Sequence, residues 1–539
     1  MLKVVTTEEM QRIEKAADAG GLSYDEMMAN AGAAIADEIL NHWLDIKDKK
    51  VLILVGPGNN GGDGLVVGYH LLNAGAHVEL YMSHARDESG DQNFARLKEA
   101  GVPVTLVEED AGSEHLLSVL QQAEILVDAL LGTGIKLPLR GSPEEILNNV
   151  KSALVEMQPP PFVVAVDCPS GLDCDSGEIA EQSLPADLTV TLAAAKPGLF
   201  EFPGADYIGH LEIGSIGVHP DQPEIASVQH ILATGEIVAG WLPDRPLNAH
   251  KGTFGRVIVV AGSINYPGAA ALSALGAYRS GAGLVTVAVP SVIQPFLVPG
   301  LLEATWLALP HEMGVISKAA ADVLHDELQD FDAILIGPGF GQDKATAEFQ
   351  ESFLAGHLER SKNIGFLDPG DPAEPVKLPH AIVDADGLKL LSEIESWHQL
   401  FSDVAVLTPH PGEFAIMTGR SIAEVLESRI EMASEYARQW GHVVVLKGAY
   451  TIIAGPEGHM ATIPIATPAL ATAGTGDVLS GIILALRGQG LGAFESAVSG
   501  AYIHARAGEI AAHNLGTEVS VIAGDVIDFL PEVFAELGF

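Results

Sequence analysis

"VLILVGPGNNGGDGLVVGYHL" occupies residues 51–71. Five apolar residues, Val51 to Val55, run into a glycine-rich turn, and the turn opens onto a stretch that reads as a helix. Gly56, Gly58 and Gly61 satisfy G-x-G-x-x-G, and Glu79 follows near the end of the next apolar run, which is close to the dinucleotide-binding fingerprint. Asp63 breaks the pattern. It places negative charge inside the turn, where a pyrophosphate wants none.

The same alternation continues outward. "VELYM" (78–82), "EILVDAL" (124–130), "FVVAVD" (162–167) and "LTVTLA" (188–193) read as strands, and 24–44 reads as an amphipathic helix before them. Continuous apolar strands with helices between them mean a parallel sheet covered on both faces. Around 220–251 the periodicity fades into segments rich in Pro and polar residues. The alternation then restarts with "RVIVVAG" (256–262), "GLVTVAVP" (283–290), "AILIGPG" (333–339), "AIVDADG" (381–387), "VAVLTPH" (404–410) and "HVVVLKG" (442–448), followed by a helix opening at "GTGDVLSGIILAL". The expected organisation is α/β, with two unrelated three-layer domains in tandem. They span 1–225 and 248–539, joined by a linker at 226–247.

Composition limits the function. Of 539 residues, 47% are hydrophobic and 19% charged, which is globular. Acidic residues outnumber basic ones 71 to 29, a net charge of −42. Such a surface repels nucleic acid and anionic membranes, so the expected partners are small molecules. Two cysteines, Cys168 and Cys174, are too few for a disulfide framework, and the charged N-terminal stretch has no apolar signal core. A cytoplasmic location is expected. The uncharged runs 257–278 and 281–302 contain Gly and Pro, and read as buried strand–turn–helix segments rather than membrane spans. Exposed apolar faces on such domains leave homo-oligomer formation open.

In open α/β sheets the functional residues gather at the carboxyl edge. Three turns of the first half end there: "GNNGGDG" (58–64), the turn after Asp128, and "DCPSGLD" from Asp167. If the strands are neighbours, Asn60, Asp128 and Ser170 present hard oxygens to one crevice, a set that suits a hard cation. Each residue alone also fits a bland role, since glycines serve close packing and aspartates cap helices. Cys168 reads as a small buried hydrophobe. In the second half, Gly474, Thr475 and Gly476 open a helix whose first N–H groups lack internal partners, an anion site in waiting. Asp477 in the first turn either complements the helix dipole or acts as base on a hydroxyl facing a phosphoryl donor. No Gly-Lys-Ser/Thr follows, so this is not a Walker A loop.

"GPGNNGGDGLV", "DALLGTGIKLPLRG" and "AVDCPSGLDCDSG" resemble the signature stretches of NAD(P)H-hydrate epimerases. The resemblance implies a Rossmann-like domain that interconverts the R and S forms of hydrated NADH or NADPH. It implies that Asn59, Asn60, Gly61, Gly62 and Asp63, with Gly132, Thr133, Gly134, Ile135, Lys136, Leu137 and Pro138, hold the substrate. It further implies that Asn60, Asp128 and Ser170 bind potassium (K+), and that Asp167 touches the reacting ring as acid or base.

"HKGTFGRVIVVAGS", "IGPGFG", "DADGL", "TPHPGEF" and "ATAGTGDVLSGII" together resemble the ADP/ATP-dependent NAD(P)H-hydrate dehydratases, of ribokinase-like fold. By that resemblance Lys447, Gly448, Ala449, Tyr450 and Thr451, with Thr467, Ala473, Gly474, Thr475 and Gly476, line the ADP or ATP. Gly339, His410 and Asp477 contact the hydrated cofactor, with Mg2+ as phosphate counter-ion. The ring hydroxyl is phosphorylated, and loss of phosphate restores the double bond. On the residues alone, His410 also reads as a strand-end cap, Lys447 as a strand terminus, and "DADGL" as a turn that shapes the site. The Pro-rich stretch 365–379 looks inserted. Two other readings stay open: a small-molecule kinase fused to a nicotinamide-binding domain, or a first half that binds without catalysing.

Overall fold

The computed structural model describes residues 2–360 and 378–539. The Pro-rich stretch 365–379 therefore lies outside the described residues, apart from Leu378 and Pro379. The chain forms two compact units, Met1–His230 and Ile231–Phe539.

The first unit is built on a seven-stranded parallel sheet. Its strands are β1 (Lys50–Val55), β2 (His77–Met82), β3 (Val104–Leu106), β4 (Ile125–Ala129), β5 (Phe162–Val166), β6 (Leu188–Leu192) and β7 (His210–Gly214), in the order β3-β2-β1-β4-β5-β6-β7. Strand β1 shows why an unbroken apolar run is needed. Side chains alternate across a strand, so Leu52 and Leu54 enter the core on one face while Val51, Ile53 and Val55 enter the core on the other. Chain direction across the sheet reverses between β1 and β4. That is a topological switch point, where a crevice opens at the carboxyl edge. The Gly56–Asp63 turn leaves β1 on one side of it, and the turn from Leu130 leaves β4 on the other.

The helix Thr7–Ala19 precedes the sheet, with a reciprocal cap between Thr6 and Glu9. It buries Met10, Ile13 and Ala17, and its Glu14 reaches the crevice. The helix Tyr24–His42 starts where the periodicity puts it.

The second unit carries β8 (His230–Leu232), β9 (Arg256–Val260), β10 (Leu284–Pro290), β11 (Thr305–Leu309), the hairpin β12 (His311–Glu312) and β13 (Val315–Ile316), then β14 (Ala333–Ile336), β15 (His380–Val383), β16 (Val406–Leu407), β17 (Val443–Leu446), β18 (Ile452–Ala454) and β19 (Met460–Thr462). The main sheet has ten strands, ordered β11-β10-β9-β14-β15-β16-β17-β18-β19-β8. From β11 to β17 the neighbours are parallel; β17–β18 and β18–β19 are antiparallel. The helix Thr475–Gly488 crosses the helix Pro267–Arg279 at backbone contact. A Cβ on Gly481 would sit 2.1 Å from the Ser273 carbonyl oxygen.

The expected linker at 226–247 is structured instead. It holds β8, at the edge of the ten-stranded sheet, and the helix Gly235–Trp241, whose Val238 packs with Val478, Ile482 and Ile503. Both elements are too short to show a period, and the prolines around them mask what remains. The uncharged runs 257–278 and 281–302 are β9 with the helix Pro267–Arg279, and β10 with short helical turns. No helix among the described residues is long and apolar enough to cross a membrane.

Candidate active sites

At the switch point of the first unit lies a cleft of about 710 Å³, within the size range of small-molecule sites. Asn59, Asn60, Asp63, Gly132, Thr133, Gly134, Ile135 and Asp167 all line it. Gly61 and Gly62 do not. A Cβ on Gly61 would meet the Gly56 carbonyl oxygen at 2.1 Å, and one on Gly62 would meet Met28. These two glycines let the helix Asn59–Asn73 sit close to its surroundings. Lys136, Leu137 and Pro138 also fall outside the lining. Gly58 caps the helix Asn59–Asn73 without a side-chain bond, so the first-turn N–H groups remain available to an anion.

Asn60, Asp128 and Ser170 meet at the turn after β4. Asn60 Nδ2 donates to the Leu131 carbonyl (3.0 Å), and the Leu131 N–H donates to Ser170 Oγ (2.9 Å). Ser170 donates to Asp128 through its N–H (2.8 Å) and its hydroxyl (2.6 Å). Burial raises the Asp128 pKa, against the pull of these bonds. Among the described residues no lysine, arginine or histidine forms an ion pair with it. Cys168 is buried beside this turn, as a small hydrophobe would be.

Asp167 has left-handed backbone (φ 63°), which turns its carboxylate back over the end of β6. Its Oδ1 accepts from the Leu192 N–H (3.0 Å), from Thr191 Oγ1 (3.1 Å) and from the ammonium of Lys196. The Lys196 side chain is 1% exposed, and its Nζ also donates to Thr191 Oγ1 and the Leu192 carbonyl. Asp63 is buried nearby, with no hydrogen bond or ion pair to its carboxyl among the described residues. Burial, then the Asp167 and Glu14 charges, push its pKa well above the usual carboxylate range. Glu14 is raised too, by burial first and by Asp167 second.

Sequence reasoning missed three residues here: Glu14, Lys196 and Arg86. Arg86 donates to the carbonyls of Gly56 (2.8 Å) and Gly58 (2.6 Å) and pairs with Asp91, which fastens the glycine turn. The lone charge in "AAAKPG" is the one readable signal. Nothing in the spacing ties Lys196 to Asp167.

In the second unit the candidate residues stand in sheet order along the carboxyl edge. Gly339 follows β14, Asp384 follows β15, His410 follows β16 and Lys447 follows β17. The "DADGL" turn does more than shape the edge, because Asp384 accepts the Lys447 ammonium (2.8 Å). Glu413 stands 3.8 Å from the same Nζ. Burial works against the charge on Lys447, but Asp384 and Glu413 outweigh it and raise the pKa. His410 caps the helix Pro411–Thr418. Its Nδ1 accepts from the N–H groups of Gly412 (3.0 Å) and Glu413 (3.2 Å), and burial lowers its pKa. Nδ1 is thus an acceptor, and the ring proton belongs on Nε2, 3.3 Å from Glu413.

The helix Thr475–Gly488 begins at Gly474 with no side-chain cap. Thr475 Oγ1 seals the preceding turn by donating to the carbonyls of Leu470 and Thr472, both at 2.9 Å. A Cβ on Gly476 would stand 3.6 Å from Lys447 Nζ, which brings the free N–H groups and the ammonium to one place. Burial and the Asp384 charge push the Asp477 carboxyl up to about 7. Gly448 to Thr451 form a tight loop. Arg429 donates to the Ala449 (3.0 Å) and Tyr450 (3.2 Å) carbonyls, and Thr451 Oγ1 donates to the Gly448 carbonyl (2.9 Å). Thr467 lines a separate cavity of about 450 Å³ with Glu509 and His513, and Ala473 is exposed. Glu413 and Arg429 were not singled out from the sequence.

Residues 24–198 match the family described as YjeF-related protein N-terminus, and 257–532 match the family described as NAD(P)H-hydrate dehydratase. The bifunctional NAD(P)H-hydrate repair enzyme Nnr of Moorella thermoacetica is 37% identical, over 99% of this chain and 97% of its own. That of Escherichia coli is 32% identical, over 98% and 93%. The crystal structure of the Bacillus subtilis ADP/ATP-dependent NAD(P)H-hydrate dehydratase, co-crystallized with ATP/Mg2+, is 31% identical with a TM-score of 0.47, covering 57% of this chain and 98% of that one. The two halves of the chain thus match two different families. The chain is a member of the bifunctional NAD(P)H-hydrate repair enzymes, with an epimerase and a dehydratase on one polypeptide.

Proposed function

We infer that hydrated NADH or NADPH binds in the first cleft between the Asn59–Asp63 and Gly132–Ile135 turns, with its reacting ring at Asp167. The observation that carries this reading is the convergence of those turns on one crevice with a partly free carboxylate. A phosphate of the substrate meets the uncapped N–H groups of the helix Asn59–Asn73. The residues fit a potassium ion. Asn60 Oδ1, the Asp128 carboxylate, Ser170 Oγ and the Leu131 carbonyl are hard donors at one turn, and the buried carboxyl is without a cationic partner. Bound there, K+ supplies positive charge beside the substrate phosphates.

In the second unit, ADP or ATP lies along Lys447–Thr451 and Gly474–Gly476, with Thr467 and Ala473 toward the rest of the nucleotide. The uncapped N–H groups and Lys447 receive the transferring phosphate. Asp477 takes the proton from the ring hydroxyl as that hydroxyl is phosphorylated, and Gly339 and His410 position the hydrate. Phosphate then leaves more easily than hydroxide would, restoring the ring double bond. Asp384 and Glu413, which face the Lys447 ammonium, would also offer carboxylate oxygens to Mg2+, which needs only one or two besides the phosphates and would neutralise phosphate charge. Composition supports a cytoplasmic setting.

An absorbance assay on mixed hydrate epimers tests the assignment, with ADP and ATP compared and K+ and Mg2+ omitted in turn. The reduced-cofactor band returns completely with the intact chain. With Asp167→Asn it stalls once the S form is consumed, and with Asp477→Asn it does not return. Full recovery by either variant refutes that residue's role.

A further inference from the structure

We propose that Asp63 is the proton donor of the epimerisation and Asp167 the proton acceptor, two carboxyl groups on either side of the β4 turn working on one ring carbon. This rests on the substrate reading of the first cleft. Asp63 arrives from the β1 side and Asp167 from the β5 side, and β4 lies between.

Their surroundings are opposite. On Asp167 all three donors converge on Oδ1, one of them a fully buried ammonium, and among the described residues Oδ2 accepts no hydrogen bond. Asp63 has no donor and no cation on its carboxyl. Asp167 and Glu14 face it with like charge; Arg86 and Lys196 oppose them more weakly. A buried carboxyl in that position stays neutral and carries an O–H to give.

The chemistry balances. The hydroxyl-bearing ring carbon is bonded to the ring nitrogen. Asp63 gives its proton to the hydroxyl. The C–O bond breaks with its electron pair on oxygen, water leaves, and the nitrogen lone pair forms a C=N bond. Water returns to the other face. Its oxygen pair forms the new C–O bond, the C=N π pair goes back to nitrogen, and Asp167 Oδ2 takes the proton. One proton has moved from Asp63 to Asp167; the reverse turnover or solvent carries it back. No oxidant or co-reactant is required.

The test uses the full chain and the purified R epimer without ADP or ATP, following the appearance of S by chromatography with the spontaneous rate subtracted. Asp63→Asn keeps the side-chain shape but has no acidic proton. The epimerisation kcat falls roughly 10²- to 10⁴-fold, while KM moves by less than about tenfold. Asp63→Glu recovers part of the rate. An unchanged urea-unfolding transition of the first unit, residues 1–230 within the full chain, shows that the unit carrying Asp63 is folded. The assignment is overturned if Asp63→Asn epimerises within about tenfold of the unaltered chain, or if the loss lies wholly in KM. If the unaltered chain itself does not convert R to S above background, the substrate reading of the cleft falls instead.

Discussion

Lys196 and Asp477 hold the largest electrostatic consequences in single side chains. Lys196 is buried against Asp167. Lys196→Met leaves a mostly buried carboxylate without its ammonium, and removing one partner of such a pair costs roughly 3–5 kcal/mol. The expected result is a lower denaturation midpoint for the first unit and loss of epimerisation, read by urea unfolding and by the R-to-S assay. Asp477 titrates at about 7. As a base it works only when charged, so kcat/KM for dehydration rises with pH up to about 7 and then levels off. Asp477→Asn removes the activity together with this limb. A profile already flat between pH 5 and 8 would exclude Asp477 as the base. At this scale the sequence was half legible. Asp63 and Asp167 sit in motifs that announce turns at strand ends, and Asp477 in one that announces a helix start. Lys196, Glu14 and Arg86 act through long-range packing, and their neighbours in sequence say nothing of their neighbours in space; Glu413 caps locally with His410, but its approach to Lys447 is equally long-range.

The elements explain which parts of the fold could be read. Strands of five or more apolar residues, such as β1 and β5, are legible because burial on both faces leaves no polar gap. Strands β3, β18 and β19 have three residues each, and β16 two. Periodicity needs more than that; β16 is legible as part of the apolar run "VAVLTPH", whereas β3, β18 and β19 are not. Element contacts also give a clean separation of the two activities. Gly481→Val sets side-chain atoms against the Ser273 carbonyl, where a Cβ alone would stand at 2.1 Å. It forces the helix Thr475–Gly488 off the helix Pro267–Arg279, at roughly 1–3 kcal/mol or more of overpacking. Dehydration is lost with Asp477 displaced, while epimerisation continues. Gly61→Ala is the mirror experiment. Its Cβ meets the Gly56 carbonyl oxygen at 2.1 Å, so epimerisation is lost and dehydration of the S form is spared.

At the scale of the whole molecule, the two units partition the chemistry at His230 and Ile231. A chain cut there and supplied as residues 231–539 keeps every dehydratase residue named above. On mixed epimers it restores the reduced-cofactor band only as far as the S fraction, then continues at the slow spontaneous rate. Adding residues 1–230 separately restores the fast completion. An uninterrupted fast return by the second unit alone would show that it accepts both epimers.

The position of β8 bears on how the chain is made. It is the first element of the ten-stranded sheet to leave the ribosome, yet its neighbour is β19, the last. At 5–20 residues per second, the stretch between them takes roughly ten to fifty seconds to synthesise. For that interval β8 is a bare edge with unpaired backbone groups, available to any other strand. The epimerase half is already complete by then, so the window of vulnerability during translation belongs to the dehydratase half alone.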